Sequence, residues 1–141
     1  PYTKPVILGI LVCIFIEIII GTEIRGGLDM SRKENPLIEG VILLKMLGPF
    51  KYMHTILGLS LLGLTVYLRK IVNDIKFISS SFMVNSVNFM MGLIITQIIL
   101  GEALVFLEVK PLMQLFHMWF SSLLVGLSVA SFTFYKISIQ K

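Results

Sequence analysis

Apolar positions along this chain come in blocks instead of stripes. Most positions in about 5–24, 50–68, 77–106 and 112–135 are aliphatic or aromatic, with polar residues at isolated places. A helix on the surface of a soluble domain would show an apolar residue only every three or four positions. Each block is long enough to cross ~30 Å of hydrocarbon at ~1.5 Å per residue. The pattern predicts an all-α membrane protein with four transmembrane helices. Pro5, Pro49 and Pro111 stand at or near three of the helix starts, where a missing N–H costs nothing.

The connections set the topology. Arg69, Lys70, Asn73 and Asp74 punctuate a short turn after the second block, and "LEVKPL" makes a tighter one after the third. Short connections force antiparallel neighbours, so 1–141 reads as one up-down four-helix bundle. The first connection, about 25–49, is longer. Its "RGGLDMSRKENP" is polar and glycine-rich, whereas "LIEGVILLKML" is apolar enough to form a short surface helix along the membrane interface. The first block lacks a small-residue cleavage site and is interrupted by Glu17, so it reads as a retained span and not a signal peptide. A start at Pro1 in place of Met is what a piece of a longer protein, or a chain missing its first residues, presents.

Composition agrees with the pattern. With 56% hydrophobic and 14% charged residues, the chain cannot cover a soluble surface. The formal net charge of +4 then bears on orientation in the lipid bilayer, with nucleic acid excluded as a partner. The sole cysteine, Cys13, rules out a disulfide within the chain and reads as a small core residue. Lys4, Arg69, Lys70, Lys76, Lys136 and Lys141 flank one face, and Arg25, Arg32, Lys33, Lys45, Lys51 and Lys110 the other. By the rule of positive cytoplasmic loops the faces tie. Acids break the tie, because only Asp74 accompanies the first set, while Glu23, Asp29, Glu34, Glu39, Glu102 and Glu108 accompany the second. Both termini are therefore expected on the cytoplasmic or matrix side.

A repeat runs through the blocks. "EIIIGTEI" from Glu17 matches "QIILGEAL" from Gln97, an offset of 80. "HTILGLSLLGLTV" matches "HMWFSSLLVGLSV" at an offset of 63, pairing His54 with His117, Gly63 with Gly126 and Thr65 with Ser128. Helices one and two are thus echoed by three and four. The expectation is a pseudo-two-fold axis along the membrane normal.

His54 and His117 are the only histidines. Each sits five or six residues past a helix-starting proline, on spans that enter from the same face, so both rings lie ~8–9 Å inside the helix starts. Two histidines at one height on facing helices can ligate a single haem iron from both sides. Gly58 and Ser121, four residues on, share their helix faces, where a flat macrocycle needs room; Gly21 and Gly101 open the same space on spans one and three. Each histidine alone could equally be a hydrogen-bonded packing residue. Neither a cysteine nor a carboxylate is spaced to complete a zinc site with them.

The remaining polar positions are less specific. Glu17 is too deep to be solvated, which leaves a proton relay or a hydrogen bond to a neighbouring helix, and its counterpart Gln97 favours the bond. Glu23 and Glu102 lie nearer the surface. Arg25, Lys51 and Lys110 would ring the histidine end and could pair with haem propionates.

Taken together, "IEIIIGTEIRGGLD", "PFKYMHTILG", "TQIILGEALVFLEV" and "LFHMWFSSLLVG" resemble the haem A synthase family, membrane enzymes that oxidise a methyl group of haem O to a formyl group for cytochrome oxidase. Members commonly consist of two similar four-helix halves, each with a histidine pair on its second and fourth helices. The resemblance implies that His54 and His117 ligate the haem of one half, on the extracytoplasmic side of a bacterial-type plasma membrane or mitochondrial inner membrane. It also implies partners: a second half or further copy, and a respiratory oxidase or its assembly factors.

The family's catalytic half carries a glutamate three residues before its first histidine, where this chain has Lys51, and many members add a loop cysteine pair that is absent here. The chain is thus most similar to the non-catalytic half, which holds haem b, with haem O or haem A as the family's substrate and product. The sequence leaves the catalytic residue unknown, with Glu17 and Glu23 as candidates for a working carboxylate. Two other functions stay open: a haem b subunit of a respiratory complex that carries electrons or stabilises neighbours, and a packing subunit without cofactor.

Overall fold

The computed structural model describes residues 2–38, 40–74, 80–106 and 111–139. Five helices follow one another: α1 (Thr3–Glu34), α2 (Gly40–Met46), α3 (Phe50–Asp74), α4 (Ser81–Phe106) and α5 (Pro111–Ile139). All but α2 are long and apolar enough to cross a membrane, the property that an integral membrane protein requires. The long helices pack in a ring, α1 on α3, α3 on α4, α4 on α5 and α5 back on α1. Consecutive long helices are therefore neighbours, and the bundle is up-down as its connections predict. α1 lies across from α4, and α3 across from α5. Outward faces carry large apolar side chains such as Phe15, Leu59, Phe89 and Trp119, which suits contact with lipid instead of water.

The helices run past the hydrophobic blocks that announce them. α1 extends ten residues beyond position 24, so "RGGLDMSRKE" is helical and not a loop. Elongation adds one hydrogen bond per residue to an existing helix and needs no new nucleus. Leu28 is buried in the added turns, and Arg32 and Lys33 sit in the last turn, where cations favour the helix's negative end. Likewise Arg69, Lys70, Asn73 and Asp74 lie in the final turns of α3, not in a turn after it, because Leu68 and Val72 are buried there. α4 begins at Ser81, where the hydroxyl of Ser80 accepts the amide N–H of Met83 at 3.2 Å, an N-cap. The expected start near 77 falls outside the described residues, as does most of "LEVKPL".

The expected short helix of the first connection is α2. It packs on α1 and α4, burying Leu43 against Leu28, with Ile24, Leu47 and Leu104 around them. Since α1 and α4 stand at opposite corners, α2 roofs one end of the bundle. Gly27 is what lets it sit down: a Cβ there would collide with Cδ2 of Leu47. α2 ends at Met46, and two residues on Gly48 has a left-handed φ of +66°, the usual glycine exit from a helix.

The main core fills the opposite end. Thr3, Ile7, Ile10 and Ile14 of α1 are buried, as are Met83, Val87, Met90 and Ile94 of α4, each 80 positions later. On α3 the buried set is Leu61, Thr65, Leu68 and Val72, and on α5 it is Leu124, Ser128, Ser131 and Tyr135, each 63 positions later. Thr65 and Ser128 satisfy their hydroxyls identically, donating to the carbonyls of Leu61 at 2.9 Å and Leu124 at 2.8 Å.

Candidate functional site

Between the core and the roof lies a layer of different character. From Ile14 to Leu28 on α1, ahead of Leu61 on α3, beyond Ile94 on α4 and ahead of Leu124 on α5, no described side chain is buried. That layer is about 16–20 Å deep along the bundle at 1.5 Å per residue. Protein interiors are normally close-packed, so an inward-facing layer without buried side chains is a cradle. The inward positions carry Glu17, Gly21, His54, Gly58, Gln97, Gly101, His117 and Ser121.

The histidines meet in this layer, from helices at opposite corners. Their ring centroids are 6.3 Å apart and their planes inclined by 57°. Two imidazoles that bind one metal atom from opposite sides, with metal–nitrogen bonds of about 2.0–2.1 Å, have ring centres roughly 6 Å apart. The spacing fits a shared metal atom. Glycine backs each ring: a Cβ on Gly21 would lie 3.5 Å from Cε1 of His54, and one on Gly101 3.8 Å from Cε1 of His117. Nδ1 of each ring is buried, which leaves Nε2 as the nitrogen available to a ligand.

Two polar side chains on the neighbouring helices support the rings differently. Oε2 of Glu17 is in direct contact with Nδ1 of His54, and the carboxylate side chain is only 12% exposed. Neither atom has another polar partner. Gln97 instead gives its Nε2 to the carbonyl of His117 at 2.6 Å and to the hydroxyl of Ser121 at 2.8 Å. Its Oε1 and the Nδ1 of His117 are both buried without a partner. Gly58 and Ser121, expected to flank a macrocycle, abut these polar groups: a Cβ on Gly58 would stand 3.2 Å from Oε1 of Glu17. The direct partner of Glu17 is the one site feature sequence reasoning did not name. Its signal was there, since Glu17 and Gly21 are one turn apart and repeat as Gln97 and Gly101.

The basic residues are less convergent. Arg25, on α1 above Glu17, donates from Nη1 to Sδ of Met118 at 2.9 Å and lies 4.0 Å from Asp29. Lys51 extends over the ring of Tyr52, 4.7 Å from its centroid. Lys110 and Glu108 fall outside the described residues. Glu23 and Glu102 are exposed, unlike Glu17, which is largely shielded with its Oε2 buried. Among the described residues no cluster of three or more His, Cys, Asp or Glu side chains could hold a metal ion.

Comparison with known proteins finds no matching family model, no similar curated protein and no similar solved structure.

Proposed function

We propose that the chain is a haem-binding membrane domain of haem A synthase type, with His54 and His117 as the two axial ligands of a haem b. One observation carries the reading: the two imidazoles stand 6.3 Å apart inside a layer that buries no side chain. Two protein ligands leave a metal's remaining positions to be filled, and a porphyrin supplies four nitrogens in the plane between two rings. The glycines at 21 and 101 favour the same ligand, because they keep side chains away from the imidazole edges. Bound haem supplies one-electron chemistry at its iron. The chain's own residues would hold it through His54 and His117, with the core on one side and α2 on the other excluding water, and Arg25 and Lys51 would be the cations available to its propionates.

The pseudo-two-fold arrangement belongs to this reading. Its support is that buried positions recur at the offsets of 80 and 63 that relate the two histidine motifs. Such symmetry brings ligands from opposite corners to one height. In the membrane the roofed end faces away from the cytoplasmic or matrix side, where both termini lie.

The chain's share in making haem A is to hold haem, not to oxidise it. Lys51 stands where the family's glutamate would, and an ammonium group is a donor with no lone pair to accept a proton. Oxidation of haem O then calls for a partner half that bears the carboxylate. A haem b subunit of a respiratory complex is the second reading, favoured by that same lysine.

The test is the pyridine haemochrome spectrum of the purified protein with its haem-to-protein ratio. A low-spin, six-coordinate haem b at one per chain is expected, lost on His54→Ala or His117→Ala. A preparation without a Soret band would refute both haem readings.

A further inference from the structure

The two histidines are matched in position but not in support. Glu17 touches Nδ1 of His54, whereas Gln97 spends its amide on the His117 carbonyl and Ser121. Each choice is locked by the residue one turn beyond the histidine. Gly58 has no side chain, and its backbone lets Oε1 of Glu17 approach to where a Cβ would be 3.2 Å away. Ser121 offers a hydroxyl instead, which holds the amide nitrogen of Gln97 and keeps Oε1 off any partner. Glu17 with Gly58 and Gln97 with Ser121 are therefore two alternative outfits of one repeated position.

We propose that Glu17 is the positioning residue for His54. Its carboxylate accepts the Nδ1–H of the ring, fixes the tautomer that presents Nε2 to the iron, and makes His54 the more electron-rich of the two ligands. This inference rests on the haem reading above. A histidine that ligates a metal commonly donates its other N–H to a carboxylate, and the bond raises the basicity of the ligand. Hydrogen bonding of this kind is one of the levers by which a protein sets a haem potential. The iron is thus held asymmetrically, by an imidazole with anionic support on the α3 side and one without it on the α5 side. A carboxylate this deep in a membrane span needs a partner to be tolerated at all, and the His54 ring is the only one Glu17 has among the described residues.

The test is redox titration of the haem-loaded protein, full chain in detergent, with matched substitutions. In Glu17→Gln the low-spin spectrum is retained and the midpoint potential rises, because the oxidised iron loses the electron-rich ligand. In Gln97→Glu the potential falls, as the second ring gains a carboxylate beside its orphaned Nδ1. Exchange of the two, Glu17→Gln with Gln97→Glu, returns it toward the starting value. A merely packing carboxylate would shift haem occupancy or thermal stability and leave the potential of the loaded fraction alone. A haem-loaded protein whose potential is indifferent to both single substitutions would overturn the assignment of Glu17 while the haem reading stands. A wild-type protein that binds no haem would overturn both. Should Glu17→Gln fail to fold, Gln97→Glu decides alone, and an unchanged potential there counts against the proposal.

Discussion

Glycine is the residue whose local consequence the structure makes most definite. Gly58 and Gly63 lie five positions apart on α3 and differ in surroundings. A methyl at Gly58 meets Oε1 of Glu17 at 3.2 Å, and one at Gly63 meets nothing within 4 Å. Gly58→Ala should therefore push Glu17 from His54 and lower haem occupancy several-fold, with Gly58→Leu more severe. Gly63→Ala should leave haem content unchanged and raise thermal stability slightly, since alanine is the better helix former by up to about 1 kcal/mol. Haem-to-protein ratio and melting temperature, measured on both variants, check the contrast. Equal loss at the two sites would make Gly58 a packing residue with no bearing on the ligand. At this scale the sequence was half legible. The paired histidines and small residues announced themselves by spacing, but the contact between Glu17 and His54 depends on the rotation of α1 against α3, which spacing along one chain does not encode.

Helix ends obey a different logic from hydrophobic blocks. The blocks mark apolar stretches of membrane-spanning length, and the number and order of the long helices were readable from them. Where a helix stops is decided by what lies beyond: a buried Leu28 carries α1 onward, and buried Leu68 and Val72 carry α3 through Arg69 and Lys70. Polar residues and two adjacent glycines argued for a loop over 25–34, yet Gly26 and Gly27 are helical, and Gly27 is the seat of Leu47. Pro111 at the start of α5, the capping serine at 80 and the left-handed Gly48 are signals of the ordinary local kind. The roof is the testable element. Leu43 is fully buried in a small cluster, and truncating such a side chain costs about 2–5 kcal/mol, more than a seven-residue helix can supply by itself. Leu43→Ala should release α2 while the four long helices persist. Faster amide exchange confined to 40–47 with an unchanged far-ultraviolet spectrum is the expected result, and Gly27→Val should reproduce it.

For the whole molecule, the division of labour between the two ends is the main result. The end near the termini holds most of the large buried side chains, and the histidine layer toward the roof holds Glu17, His54, Gln97 and His117. Stability and ligand binding are therefore separable. His54→Ala and His117→Ala should lose the haem spectrum but keep full helicity, whereas Leu68→Ala should destabilise the bundle by about 2–5 kcal/mol while the folded fraction still binds haem. Circular dichroism and haem content on the same samples distinguish the two classes. Expressed alone with haem O, the chain should yield no haem A by chromatography of the extracted haems. Haem A above background that survives in Lys51→Ala would return Glu17, and then Glu23, to consideration as the working carboxylate.

The unequal filling of the bundle also makes it a pair of tweezers. Packed cores resist deformation because every displacement opens voids or forces overlaps, so the filled end acts as the fulcrum. In the layer of the histidines there is little to unpack, and the tips of α3 and α5 can part by a fraction of an ångström. The roof, tied to α1 and α4 and not to the two jaws, would ride on this motion without opposing it. Compliance of this sort leaves a gradient along each helix: amide exchange should quicken steadily from Leu61 toward Phe50 and from Leu124 toward Leu112, and flatten when the jaws close on a ligand.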